Sequence, residues 1–320
     1  MVFYMENDME RLELDYELIT LSARIAATTH GGRAKCLQRL LRLDLPVPRT
    51  VAISFSGVHS IAAGHFEELL DLLDNFNNDD LLCVRPSSES PDWGGPSAIM
   101  NIGMNDLRYE ELKQKLGADV ASSIYIEFIQ AYSLHVARLD PDIFNQVDHG
   151  SSDALPKILE IYESETEHVF PQDITVQLSE ILRSMARTWE STTARLLRKA
   201  KGAPIDAGLG LVVQEMAFGL GEGESGTGVL QLIDENNGRP KIKGRYTQQS
   251  QMIPKSSSDG TLYLTKDVRG LSLEDNNEKI FRQLVDFATL MRIKLREEMQ
   301  IEFSIQNGIL HILDLSLIHI

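Results

Sequence analysis

Apolar residues along this chain recur at two different spacings, and the changes of spacing mark its elements. After a short apolar stretch at 17–27 comes Thr28-Thr29-His30-Gly31-Gly32-Arg33, a glycine turn. Leu37, Leu40 and Leu41 then fall at i, i+3 and i+4, which predicts a helix with one apolar face, while Arg33, Lys35, Arg39 and Arg42 share the rest. Asp44-Leu45-Pro46-Val47-Pro48 stops that helix, and Thr50 to Ser54 reads as a strand. Phe66 to Leu73 reads as a further helix, and Asp80 to Arg85 as a buried strand that ends in a cation. The pattern is helical from Asn105 to about Leu139. Residues 140–170, with Glu160, Glu163, Glu165 and Glu167, read as a polar, partly irregular connection. Leu178, Ile181, Leu182, Met185 and Trp189 share one face of a helix that follows Asp173 and runs to about Lys201.

The second half turns to β spacing. Leu211-Val212-Val213 leads into Gln214-Glu215-Met216 and then a glycine-rich segment, Gly219 to Gly228, which reads either as backbone that approaches something closely or as an ordinary hairpin with a floppy tip. Strands are expected near 229–233 and 241–246 around a turn at Asn236-Asn237-Gly238. A Ser/Asp/Gly linker, Lys255 to Gly260, and a helix at about 275–298 follow. Between two regular elements lies PSSESPDWGGPSAIM, whose prolines and glycines exclude regular structure; it reads as a ligand-contacting or plain surface loop.

The chain closes on a hairpin around Gln306-Asn307-Gly308. A three-residue loop with Gly308 in the left-handed position pairs Ile305 with Ile309 and sets Gln300 opposite Asp314. Gln300, Glu302 and Asp314 then share one face, with Ile301, Phe303, Ile305 and Leu313 on the other. A two-residue Asn-Gly turn shifts the register by one and separates Glu302 from Asp314. Only the first register makes the two acids a Mg²⁺ site, since Mg²⁺ takes one or two carboxylates plus phosphate oxygens.

Composition narrows the partners. The 320 residues are 42% hydrophobic, enough for sizeable cores and about two domains. A formal charge of −16 argues against nucleic acid, so an anionic ligand needs a local basic pocket. Cys36 and Cys83 stand in apolar contexts without metal spacing and read as core thiols of a reducing compartment. MVFYMENDMERLE carries acids where a signal peptide carries cations, and no long apolar run occurs, so a cytoplasmic location without membrane association is expected. The abrupt apolar ending LDLSLIHI suggests a piece of a longer chain.

Several stretches in order resemble the N-terminal ATP-binding half of the pyruvate phosphate dikinase and phosphoenolpyruvate synthase family. These are GGRAKCLQRLLRLDLPVP, CVRPSSESPDWGGPSAIMNIGMND, FPQDITVQL, Trp189, GAPIDAGLGLVVQEMAFG with SGTGV, and IEFSIQNGILHIL. The resemblance implies an α+β, ATP-grasp-like, two-lobed nucleotide-binding fold. Its N-terminal lobe would be 1–205 with a helical insertion at about 107–205, and its C-terminal lobe 206–320. It implies ATP between the lobes, adenine on the backbone of Val213, Gln214, Glu215 and Met216, and phosphates on Arg33, Arg85 and a lid at Gly94 and Gly95. The 222–228 loop, with Gly226 and Gly228, would help to close the site. Glu302 would hold Mg²⁺ with help from Asp314. The implied reaction passes the ATP β-phosphoryl group to a histidine on a separate domain or partner.

The departures from the family pattern bear on turnover. The lysine after the glycine pair is Arg33. Gln300 stands where the family has an acid, Asp314 and Ser316 replace its glutamine and arginine, and TQQSQMIP replaces its Asn-Ala-Gln-Gly-Glu-Asp. No histidine here has the phosphohistidine context. Three readings stand: a dikinase-type phosphotransferase domain, a catalytically impaired nucleotide-binding or regulatory pseudoenzyme of the same fold, and an interaction module that binds no nucleotide.

Overall fold

In the computed structural model, β1 (Tyr16–Leu18), β2 (Thr50–Ile53), β3 (Leu82–Ser88), β4 (Ile99–Ile102) and β5 (Leu209–Glu215) form one sheet in the order β1-β2-β5-β3-β4. A second sheet holds β6 (Gly226–Ile233), β7 (Pro240–Gln248), β8 (Thr261–Tyr263), β9 (Met299–Gln306) and β10 (Ile309–Leu317) in the order β10-β9-β6-β7-β8. Every named pairing is antiparallel, so the fold is mixed α and β with two antiparallel sheets. The described residues are 14–66, 69–234, 238–251, 261–267 and 270–317. Part of the Phe66–Leu73 helix, the turn residues Asn236 and Asn237, the Lys255–Gly260 linker, and residues 1–13 and 318–320 lie outside them.

β5 sits between β2 and β3, which explains why its sequence is apolar without alternation. Leu211 and Val213 face one core with Val51, Ile53 and Val84. Val212 and Ala52 face a second core, shared with the helix Ala27–Leu41 and the inner faces of β6, β9 and β10. Although β5 lies beyond residue 205, it completes the first sheet; the second begins at β6.

Several elements differ from the sequence reading, each for a local reason. A further helical turn begins at Ala27, and non-helical Gly31 (φ 86°, ψ 167°) separates it from the helix that carries Leu37, Leu40 and Leu41, so the glycine pair opens that helix as expected but follows a turn the spacing did not show. The span from Asn105 is two helices, Asp106–Leu116 and Ala118–His135, separated by Gly117 at φ 93°. The supposed irregular 140–170 connection contains the helix Ala154–Thr166, which buries Ala154, Leu155, Ile158 and Tyr162. Lys157 and Glu160 between those positions, and Glu163 and Glu165 after them, mask the period. The helix after Asp173 ends at Glu190, where extended Ser191 starts another, Thr192–Ala200, and caps it by accepting from the Ala194 N–H. The loop after Arg85 is shorter than its composition suggests, since β3 continues to Ser88 and β4 begins at Ile99.

The terminal hairpin combines features of both expected registers. Its loop is the two-residue Asn307-Gly308 turn, both at positive φ, and Gln306 pairs with Ile309. The three-residue loop and the Gln300–Asp314 pairing are therefore corrected. The irregularity between Ile312 and Asp314 leaves Leu313 as an extra residue in β10, however, and beyond it Glu302 pairs directly with Asp314. One extra residue restores the common face that the shorter turn would have lost. Ile312, rather than Leu313, packs with Ile301, Phe303 and Ile305.

Candidate functional site

The two sheets meet where β3 faces the β9–β10 hairpin. Arg85 lies opposite Val212 on the face of the first sheet that turns toward the second, and its Nη1 is 3.5 Å from Glu302 Oε2 and 3.7 Å from Asp314 Oδ2. Arg33, just past the Gly31 break, donates from Nε to Asp314 Oδ2 at 2.8 Å and from Nη1 to the Pro86 carbonyl. The Asp314 side chain is 7% exposed and that of Arg85 12%, so these charges interact with little solvent screening. The structure thus brings together Arg33, Arg85, Glu302 and Asp314, which lie far apart in sequence.

The electrostatics follow from this crowding. The Glu302 carboxyl is held above its usual range, first by burial and then by Asp314, with Arg85 and Arg33 opposing. For Arg85, burial works against the charge. Cys83, Asp314 and Glu302 outweigh it, and the guanidinium stays protonated above its usual range. The thiol of Cys36 is pushed up to about 12 by burial and then by Asp314, and burial likewise raises that of Cys83. Neither cysteine is a ready nucleophile.

Gly31 is required where the helix approaches β3, because a Cβ there would fall 1.7 Å from the Ser87 carbonyl oxygen. On the other side of the break the Ala34 N–H donates to Ser87 Oγ at 3.1 Å. The contacts of Pro86 and Ser87 were missed in sequence because both were assigned to the loop; the alternation of Cys83, Arg85 and Ser87 was the available signal. Beside Arg33 a cavity of about 260 Å³ opens among Gly32, Arg33, Cys36, Arg39, Glu297 and Ser316.

The remaining expected site residues are placed elsewhere along the cleft or the sheets. Val213 and Gln214 are buried in β5, and Gln214 Nε2 donates to Thr50 Oγ1 at 2.9 Å. The N–H groups of Glu215 and Met216 donate to the carbonyls of Arg49 and Leu81, each at 2.9 Å. The Phe218 N–H donates to Gln306 Oε1 at 3.0 Å and ties this segment to the terminal hairpin. Glu215 pairs with Leu82 and Val212 with Arg85, so the end of β5 lies about 10 Å along the strands from the arginine level.

Gly94 (φ 79°) and Gly95 follow a short turn, Pro91–Trp93. A Cβ on Gly95 would lie 3.3 Å from Pro86 and 3.9 Å from the Trp189 ring, so this segment rests on both. Trp189 is fixed in turn by its Nε1 donating to the Ala207 carbonyl at 3.1 Å and by the Arg198 guanidinium 3.6 Å from its ring centre. Gly226 and Gly228 lie in β6 beneath the stacked rings of Tyr246 and Phe303, and a Cβ on Gly228 would be 2.5 Å from Phe303 Cζ. Close sheet packing alone requires glycine there. Gln300 accepts from Gln231 Nε2 at 2.9 Å, and exposed Ser316 is paired opposite it.

Among the described residues no group of three or more His, Cys, Asp or Glu is arranged to hold a metal ion. The carboxylates of Glu302 and Asp314, opposite each other on one face, still suit a Mg²⁺ that takes its other ligands from phosphate and water. No helix among these residues is long and apolar enough to cross a membrane.

Comparison with known proteins accords with the resemblance in the motifs. The chain is 26% identical to pyruvate, phosphate dikinase of Clostridium symbiosum over 252 residues, covering 73% of this chain and 28% of that protein. It is 25% identical to the Rickettsia conorii protein of the same name, with the same coverage. It is 22% identical to the chloroplastic pyruvate, phosphate dikinase of Flaveria trinervia over 313 residues, covering 87% of this chain and 32% of that protein. The chain therefore spans less than a third of the length of these relatives, and the match is to their N-terminal part. No family model matches.

Proposed function

We propose that this chain, similar over most of its length to the N-terminal part of the pyruvate, phosphate dikinases, is an ATP-binding, Mg²⁺-dependent phosphotransferase domain with an ATP-grasp-like arrangement. It would pass a phosphoryl group from ATP to a histidine on a separate domain or partner. The observation that carries the reading is the convergence of Arg33 and Arg85 with Glu302 and Asp314 across the cleft. Two guanidinium groups supply phosphate-binding charge, and two opposed carboxylates supply the metal ligands. The end of β5 lies about a nucleoside's length away, as adenine on the Val213–Met216 segment requires. Gly94 and Gly95, with Gly95 packed near Pro86 and Trp189, would form a lid over the phosphates, and the segment leading into Gly226 and Gly228 would help to close the site.

In this reading Arg33 and Arg85 would hold the phosphate chain in line and offset its charge, while Glu302 and Asp314 would hold the metal. Bound Mg²⁺ supplies neutralisation of charge on the phosphate oxygens. Positioning and charge compensation account for most of such catalysis. Nucleotide-dependent thermal stabilisation tests the reading: ATP should raise the melting temperature, and Arg85→Ala should abolish the rise. An unchanged rise in the variant would remove Arg85 from the site.

One observation favours the pseudoenzyme reading. Asp314 pairs with both arginines, so their charge is already matched, and Ser316 supplies no cation in its place. A chain of this kind would bind nucleotide without turnover.

A further inference from the structure

A cross-strand row of the second sheet runs Asp314, Glu302, Val229, Arg245 and Tyr263. Directly paired residues project to the same face, so Arg245 is on the face that carries the two site carboxylates. The next residue confirms the direction: Tyr246 projects the opposite way, is fully buried, and stacks on Phe303 with ring centres 6.1 Å apart. Arg245 and Glu302 are separated by one strand, or about 10 Å between backbones. An arginine side chain and one phosphate group bridge that gap.

The state of the Arg245 guanidinium distinguishes it from the other arginines of the site. Arg33 and Arg85 are both matched by carboxylates. Arg245 has its Nη1 shielded from solvent and without a hydrogen-bond partner, and among the described residues it makes no ion pair. A buried N–H left unpaired is costly, the more so on a charged group. In a chain of net charge −16 an unmatched guanidinium on this face is not explained by surface charge balance.

We infer that Arg245 is a phosphate-binding residue of the cleft, a third cation reaching the phosphate chain of a nucleotide from the β7 side. The inference rests on the nucleotide-site reading above and extends it. Arg33 and Arg85 are offset by Glu302 and Asp314, so Arg245 supplies the surplus positive charge. Its ligand class is the phosphate chain, not the base.

The test is calorimetric titration of the wild-type chain, Arg245→Ala and Arg245→Lys with MgATP, together with the nucleotide-free melting temperature of each. The inference expects Arg245→Ala to bind at least tenfold more weakly, with an unchanged or higher nucleotide-free melting temperature because an unpaired group has been removed. Arg245→Lys should recover part of the affinity. Wild-type affinity in Arg245→Ala would overturn the inference and leave the nucleotide site standing. So would parallel loss of affinity and nucleotide-free stability that lysine does not recover, which marks a structural role. No binding by the wild-type chain would instead overturn the nucleotide-site reading, and this inference with it.

Discussion

Asp314 accepts from Arg33 Nε at 2.8 Å while its same oxygen lies 3.7 Å from Arg85 Nη1, so one carboxylate holds both arginines of the cleft. A phosphate chain entering the site competes with that carboxylate unless a metal engages it. Asp314→Asn should therefore tighten metal-free ATP binding by about tenfold, roughly 1.4 kcal/mol, and narrow the difference between titrations with and without Mg²⁺. The nucleotide-free protein should lose about 3 kcal/mol, the lower end for breaking a buried pair, because Glu302 still faces Arg85. Denaturant unfolding and calorimetry on the same variant measure both effects. Unchanged metal-free affinity would show that Asp314 does not restrain the arginines.

Glu302 provides a pH test. Its folded-state carboxyl is held above the ordinary range, by burial first and by Asp314 second. A raised carboxyl contributes stability at pH below its unfolded value and loses that contribution as pH rises through its folded value. Glu302→Gln removes the titration, so the variant should gain stability relative to wild type as pH rises from acid toward neutrality. Melting curves across that range check the sign; a difference independent of pH would mean that Glu302 does not titrate in that window. The same variant should also weaken Mg²⁺-dependent binding more than metal-free binding.

Glycine requirements can be separated by position. Gly31→Ala places a Cβ 1.7 Å from the Ser87 carbonyl oxygen at φ +86°, and should cost about 3 kcal/mol or more through overlap and backbone strain. Gly64→Ala, with nothing within 4 Å of the added atom, should cost only the left-handed backbone term, about 1 kcal/mol. Equal losses in denaturant unfolding would contradict the close approach of the helix to β3.

How much of this was legible in the sequence depends on whether the signal was local. The core face Leu178, Ile181, Leu182, Met185 and Trp189 is buried as its spacing requires, and β5 was evident from its apolar run. The helix Ala154–Thr166 is obscured by its acids, Glu160, Glu163 and Glu165, which make the stretch look like a polar connection. Arg33, Arg85, Glu302 and Asp314 could be singled out by motif, but their meeting depends on one extra residue at Leu313, and the Asn-Gly turn alone points to the wrong register. Gly226 and Gly228 stand out in the sequence only as part of a glycine-rich segment, because the Tyr246 and Phe303 rings packed close to them come from two other strands. Arg245 gave no sequence signal, because being unpaired on a shared sheet face is a property of tertiary pairing.

The thiols make a simple chemical check. With Cys36 pushed up to about 12 and Cys83 raised by burial, neither should react quickly with a thiol-disulfide reagent in native protein at neutral pH. Both should react on unfolding. Rapid labelling of native protein at Cys36 would contradict its desolvation beside Asp314.

The proposed function requires the charged cleft between the two sheets to bind the phosphates of ATP with Mg²⁺. Calorimetric titration of the purified chain with ATP and a non-hydrolysable analogue, with and without Mg²⁺, tests it most directly. Saturable one-site binding of both nucleotides, tightened by Mg²⁺, is the expected result. Absence of binding under all four conditions would contradict it.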